Sequence, residues 1–302
     1  MKTLGDIRKN FNLFNFLNNY SDSVKIQNFY LNDVITRFMF TVNDEIFVKV
    51  FLENEKRYFL DGSLAKECAV YNYIQSNKIP IHVPKMIYMG KSDEYVYIIL
   101  EYIKGNGLRQ LLYKGNPEED EQIIRQISGQ LTALHSICKN DKLNELCERN
   151  HESDIKYYTR LLKDVDNNYA LMGEVYDIIS KFLLVYRKKP VLIHGDASLG
   201  NWIVDKFGKV YLIDFETAFW GDYNYDIAVL TKQGHIVKDD FLNKGIYGHN
   251  IYLDAVRVYN MLFCVSVMAY DCPYYENHYG PGNIVNYSKY KDMLIECLHT
   301  YY

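Results

Sequence analysis

The sequence carries no excess of basic charge. Its 34 Lys and Arg residues stand against 38 Asp and Glu, a formal net charge of −4 with a pI near 6.1. That balance argues against a nucleic-acid binder or a protein docked on anionic lipid. Long hydrophobic runs are also missing: the longest, residues 261–270, is about half of what spans a bilayer. The N-terminal stretch MKTLGDIRKNF has no apolar signal core, so a cytoplasmic location is expected. The six cysteines (68, 138, 147, 264, 272 and 297) form no CxxC pair and no spaced disulfide framework, the usage of reduced, structural thiols. No internal repeat and no low-complexity linker occurs. What is present is 302 residues, 48% hydrophobic and 24% charged. That is enough for a sizeable core, excludes wholesale disorder, and suits one two-lobed enzyme or two ordinary domains.

Residues 1–20, with Leu4, Ile7, Phe11, Phe14 and Leu17, have the spacing of an amphipathic helix. Three β-like runs follow, 24–30, 34–42 and 46–52, with a hairpin-type turn at Asn43-Asp44. A helix is expected after Asp61-Gly62, capped by Ser63, with Leu64, Cys68, Tyr71 and Ile74 near one face. Strands are expected over 85–89 and 95–103. Gly105 and Gly107 then break the pattern and read as a connector between two bodies. Beyond them the chain is mostly helical, beginning with 121–137, where Ile124, Ile127, Leu131 and Leu134 recur at helical spacing. Two helical patterns occupy 140–189, and the tail from Ile251 is helical again, broken by Pro273 and Gly280-Pro-Gly282.

The informative stretch is 191–228. Val191-Leu-Ile runs into His194-Gly195-Asp196, Asn201 lies five positions after Asp196, and Tyr211-Leu-Ile213 runs into Asp214. The turn 205–208 lets 203–204 pair with 210–213 as a hairpin, bringing Asn201 and Asp214 to one end. A hard divalent cation takes oxygen ligands, and Mg2+ usually uses one or two carboxylates together with phosphates. Asn201 and Asp214 supply such a partial shell and leave Asp196 to accept a proton from an attacking hydroxyl. This is the division of labour of kinase-type phosphoryl transfer. His194 reads as a hydrogen-bonded loop anchor, and Asp222 as a loop or cap residue. His235, His249 and His278 have no partner at metal-ligand spacing, which argues against Zn2+.

HGDxxxxN, followed by IDFE and then GDxxxD, resembles the aminoglycoside phosphotransferase and choline kinase superfamily. The likeness runs in order over about residues 24–270. It implies an α+β protein-kinase-like fold with a small antiparallel β lobe (1–102, with an extra N-terminal helix) and a larger helical lobe (103–302). It implies ATP or GTP as phosphate donor, Mg2+ as cofactor, Asp196 as catalytic base, and Asn201 and Asp214 as metal ligands. Lys49 matches the lysine that contacts nucleotide phosphates, and Glu67 its acidic partner. Glu101, Tyr102 and Ile103 match the segment whose backbone hydrogen-bonds adenine. Asp226 matches a residue that braces the catalytic loop. The family often carries glycine in the turn over the phosphates; here that turn, residues 30–34, has none.

The implied partners are a nucleotide and a small hydroxyl acceptor of cationic character, with an aminoglycoside-type antibiotic first and a choline, amino-alcohol or sugar kinase second. Neither nucleic acid nor membrane is expected as partner. Asp254, Asp271 and Glu276, among Tyr270, Tyr274, Tyr275 and Tyr279, are candidates for an acidic, aromatic acceptor pocket, against the alternative of a solvated helix face. Two rivals remain. A protein kinase lacks its HRD, DFG and APE set here. A catalytically silent nucleotide-binding or scaffold protein is supported by the glycine-free turn alone.

Overall fold

The computed structural model describes residues 11–20, 25–31, 37–52, 64–91, 95–112, 117–148, 151–163, 165, 167–186, 188–232, 247–272 and 284–301. These divide into two compact units: residues up to Leu111 together with Gly200–Thr217, and Leu112–Leu199 together with Ala218 onward.

In the first unit helix α1 (Phe11–Tyr20) precedes strands β1 (Ile26–Leu31), β2 (Arg37–Val42) and β3 (Ile46–Leu52), then helix α2 (Leu64–Ser76) and strands β4 (Met86–Lys91) and β5 (Tyr95–Glu101). The five strands form one antiparallel sheet in the order β1-β2-β3-β5-β4. The β2–β3 turn forms as the sequence predicts. Asn43 and Asp44 take φ of 53° and 55°, the left-handed conformation that Asn and Asp tolerate and that primed hairpin turns require. Alternation along β3 then separates two jobs. Ile46, Val48 and Val50 are fully buried and pack with Phe40, Val42, Tyr97 and Ile99 against Leu13 and Leu17 of α1. Lys49 necessarily projects from the opposite face. The expected α1 stripe is confirmed at Leu17 and gains Leu13, which the sequence reading omits; Leu4 and Ile7 lie outside the described residues.

Gly105 and Gly107, expected as a connector, lie in regular structure. They flank a short strand β6 (Gly105–Gly107) that pairs with β8 (Trp202–Asp205), which in turn pairs with β9 (Val210–Leu212). The glycine at 105 is steric. A Cβ there would lie 2.4 Å from the Val204 carbonyl oxygen, so only glycine allows the two backbones to approach. The β8–β9 hairpin matches expectation. Its turn is held by Asp205 Oδ1, which accepts the amides of Phe207 (2.8 Å) and Lys209 (3.0 Å), with Gly208 at φ 76°.

Short helix α3 (Leu108–Leu111) closes the first unit's run, and the second unit begins with α4 (Pro117–Leu134), α5 (Asn144–Cys147), α6 (His151–Leu162) and α7 (Tyr169–Val185). Ile124, Ile127, Leu131 and Leu134 of α4 are all fully buried, as their spacing predicts. Strand β7 (Val191–Ile193) pairs antiparallel with β10 (Phe219–Gly221), a strand the sequence reading does not contain. Helices α8 (Asn224–Lys232), α9 (Leu253–Tyr270) and α10 (Ile284–Tyr301) complete the unit. Among the described residues no helix is long and apolar enough to cross a membrane.

Candidate active site

Lys49 is 5% exposed and Glu67 fully buried. A buried ammonium is costly unless paired. Its Nζ lies 3.0 and 2.8 Å from the two carboxylate oxygens of Glu67 on α2, and 2.7 Å from Asp214 Oδ1. Burial alone would lower the Lys49 pKa. The carboxylates of Asp214, Glu67 and Glu216 outweigh it and hold the ammonium well above the usual lysine range. Burial pushes the Glu67 carboxyl up, with Lys49 pulling against it. Glu67, Asp214 and Glu216 each bring a carboxylate oxygen within 4.8 Å of the others. Lys49 is therefore the charge that lets three acids share this space.

Asp214 directly follows Ile213, whose amide donates to the Asn201 carbonyl at 3.0 Å. The Asn201 and Asp214 side chains thus leave neighbouring strand ends, as expected from the hairpin register. Asp214 adopts φ 69°, a conformation that costs a non-glycine residue about 1–3 kcal/mol and that concentrates at functional sites. Its side chain stays 31% exposed while that of Glu67 is closed off. A half-open carboxylate is the kind of oxygen donor that a hard cation such as Mg2+ takes.

The 101–103 segment is partly committed to the sheet. The Glu101 amide donates to the Lys85 carbonyl (2.9 Å) and the Tyr102 amide to the Glu45 carbonyl (2.8 Å). Among the described residues no hydrogen bond engages the Ile103 amide. Residues 32–34 of the glycine-free turn lie outside the described residues.

In the second unit Asp226, fully buried at the start of α8, accepts the His194 amide (2.7 Å, Oδ2) and the Gly195 amide (2.9 Å, Oδ1). It therefore braces the loop carrying Asp196 from within. His194 is fully buried and its Nδ1 faces the Asp196 amide at 3.3 Å, the anchoring role expected of it. Asp222 Oδ1 accepts the Asn224 amide at 3.0 Å and so caps α8. Of the acceptor-pocket candidates, Asp254 is exposed and paired with Arg257 three residues along α9 at 3.2 Å, the solvated-face alternative. Asp271 is buried and its carboxyl is raised by burial, opposed by Asn286. Glu276, Tyr274, Tyr275 and Tyr279 lie outside the described residues.

Three residues in contact with these candidates, in one unit or the other, escape sequence reasoning. Glu216 was visible only as part of IDFE. His135, on the turn after α4, sets its Nε2 2.9 Å from Asp226 Oδ2 and its Nδ1 against the Tyr247 hydroxyl. Tyr71, visible as a buried helix position, donates its hydroxyl to Glu67 Oε1 at 2.9 Å and accepts the Asp214 amide at 3.0 Å.

Known proteins resemble this chain in both sequence and fold. A protein LicA homolog of Mycoplasma capricolum is 25% identical over 154 residues, covering 51% of this chain and 56% of the relative. A probable ketoamine kinase of Vibrio parahaemolyticus is 23% identical over 223 residues, covering 67% and 68%. The chain thus spans little more than half the length of the first of these relatives. Among solved structures, the GDP complex of an aminoglycoside 2′-phosphotransferase superposes with a TM-score of 0.71 at 16% identity, covering 96% of this chain and 97% of that one. This likeness shows the protein-kinase-like α+β fold. The phosphotransferase enzyme family model matches residues 40–252, a span that begins in β2 and takes in Lys49, Glu67, the Asp196 loop and Asp214. The chain therefore belongs to the phosphotransferase enzyme family.

Proposed function

We propose that this protein transfers the γ-phosphate of ATP or GTP to a hydroxyl of a small amine-bearing molecule, an aminoglycoside-type amino sugar being the first choice. The observation that carries the reading is the buried Lys49, held between Glu67 and the half-open carboxylate of Asp214. A structural ion pair needs one partner. A lysine shared between a closed and an open carboxylate keeps a cation aimed where phosphate oxygens arrive.

In this reading Ile103 offers its amide to the base, and Lys49 steadies the phosphates. Asn201 and Asp214 would hold Mg2+, and that ion would supply neutralising charge for the transferring phosphoryl group. Asp196 accepts the acceptor hydroxyl proton on a carboxylate oxygen. The bracing by Asp226 fixes the backbone on which that carboxylate stands. A ketoamine or related metabolite acceptor is the second reading, favoured by the relative that aligns over 67% of this chain. Both acceptor types present an amine and several hydroxyls.

The test is nucleotide-diphosphate release with Mg2+ and either ATP or GTP, against aminoglycosides, ketoamines, choline, ethanolamine and simple sugars. Release with one acceptor class, lost in Asp196→Asn, is the expected result. A protein that neither binds nor turns over either nucleotide would move the silent-scaffold reading to first place. Robust casein phosphorylation would favour a protein kinase.

A further inference from the structure

Asp214 is gripped at two points, and both grips lead to the same residue. Its carboxylate accepts from Lys49 Nζ at 2.7 Å, and Lys49 is anchored on Glu67 at 2.8 Å. Its backbone amide donates to the Tyr71 hydroxyl oxygen at 3.0 Å, and that hydroxyl donates to Glu67 Oε1 at 2.9 Å. The four residues close a ring. The direction of each bond follows from chemistry. A backbone amide only donates, so the Tyr71 oxygen must accept. The phenolic proton is then left for the carboxylate, which only accepts.

The phenol is fully buried, and burial together with the Glu67 charge holds its pKa well above the usual tyrosine range. It therefore remains a neutral donor. The ring also meets Phe215, the next residue after Asp214, edge-on at 5.5 Å and 76°. A phenylalanine would fill the same space. The hydroxyl is what the packing does not need, and it lands on the one amide whose residue has φ 69°.

We propose that Tyr71 is a positioning residue for phosphoryl transfer. Its hydroxyl holds Asp214 in the left-handed conformation that presents the carboxylate, and it couples that conformation to Glu67 on α2. The inference rests on the phosphotransferase reading above. It separates two contributions. The carboxylate grip through Lys49 is the one a metal ion competes for. The backbone grip through Tyr71 stays whether or not Asp214 is occupied, so its loss is felt in metal-dependent binding and not in metal-free nucleotide binding.

Tyr71→Phe removes the hydroxyl and keeps the ring. Calorimetric titration with ADP, in EDTA and at rising Mg2+, is the readout independent of turnover. Metal-free ADP affinity is expected to stay within about twofold of the parent. The gain in affinity on adding Mg2+ should fall about tenfold, the size of one lost hydrogen bond to a buried group. In turnover kcat should fall more than KM for the nucleotide rises. Tyr71→Leu, which also removes the Phe215 contact, should lower the unfolding midpoint as well and lose no less of the Mg2+ gain. If Tyr71→Phe lowers only the unfolding midpoint and leaves the Mg2+ gain and the kcat-to-KM pattern unchanged, Tyr71 is core packing and the proposal fails. A parent protein with no Mg2+-dependent gain at all would overturn the phosphotransferase reading itself, a failure visible without any variant.

Discussion

His135 Nε2 stands 2.9 Å from Asp226 Oδ2, with both side chains wholly removed from solvent. Asp226 spends its acceptors on this imidazole and on the amides of His194 and Gly195. The other ring nitrogen, Nδ1, meets the Tyr247 hydroxyl. A chain from Tyr247 through His135 and Asp226 thereby ends on the two backbone amides that precede Asp196.

Asp226→Asn replaces an acceptor-only group by one that turns an N–H toward an N–H. We expect about 2–4 kcal/mol of lost stability, the range for charge-assisted bonds broken inside a core. Turnover should fall at least a hundredfold, because the loop carrying Asp196 loses its anchor, while ADP binding changes by no more than a few fold. Urea unfolding and calorimetry on the same preparation check this. Intact turnover would mean that the loop holds Asp196 without its brace.

Lys49→Met should have a stability cost that depends on pH. In the parent the lysine is raised above its ordinary value of 10.5. Its contribution is fully present below that value and does not change between pH 5 and 8. In the variant burial pushes Glu67 up from its ordinary value of 4.5 with nothing opposing it, and Glu216 and Asp214 add repulsion. A raised carboxyl contributes stability that is present below its unfolded value and lost as pH rises through the folded one. The deficit should therefore grow from pH 5 to pH 8, reaching about 3 kcal/mol, the cost of leaving buried charge unpaired. Urea unfolding at the two pH values decides it: a deficit equal at both would mean the three acids do not share the lysine.

Asp214→Asn tests the trade between stability and chemistry. Asparagine tolerates φ near 69° as aspartate does, so the backbone should keep its form. Removing one of three crowded carboxylates leaves Lys49 paired with Glu67 alone, and the unfolding midpoint should be unchanged or a few degrees higher. The Mg2+-dependent part of nucleotide affinity should fall at least tenfold, since the proposed charged ligand is gone. A variant that binds Mg-ADP like the parent would remove Asp214 from the metal site.

Much of this site was legible because it is carried by short-range pattern. Strand β3 follows its apolar run, and alternation alone sends Lys49 to the face opposite Val48 and Val50. The D-x4-N spacing and the β8–β9 hairpin place Asn201 and Asp214 on neighbouring strand ends without any tertiary information. What was not legible is long-range. Helical spacing marks Tyr71 as buried, yet one of its hydroxyl's two partners, the Asp214 amide, lies 143 positions along the chain. His135 meets Asp226 across 91 positions. Periodicity reports which face is buried and is silent on what a buried polar atom finds there. Strand β10 is three residues long, too short for any alternation, and becomes a strand only through pairing with β7.

At Gly105 the backbone of β6 lies directly against that of β8. Paired glycines signal freedom when only local conformation is considered. Here the constraint is a neighbouring strand: a Cβ at 105 would meet the Val204 carbonyl oxygen at 2.4 Å and Ile203 Cγ2 at 2.7 Å. At Gly107, on the same short strand, nothing lies within 4 Å of an added Cβ. Gly105→Ala must push β6 off β8, at a cost of about 1–3 kcal/mol for overpacking against backbone. Gly107→Ala removes chain entropy from the unfolded state with no clash, so its effect should stay within about 1 kcal/mol of the parent. Thermal unfolding of the two variants side by side checks the argument, because a flexible connector would tolerate both substitutions equally. The same shift in β6 should also weaken nucleotide binding in Gly105→Ala, since β8 begins at the residue after Asn201. Equal midpoints for the two variants would return 105–107 to the role of a plain linker.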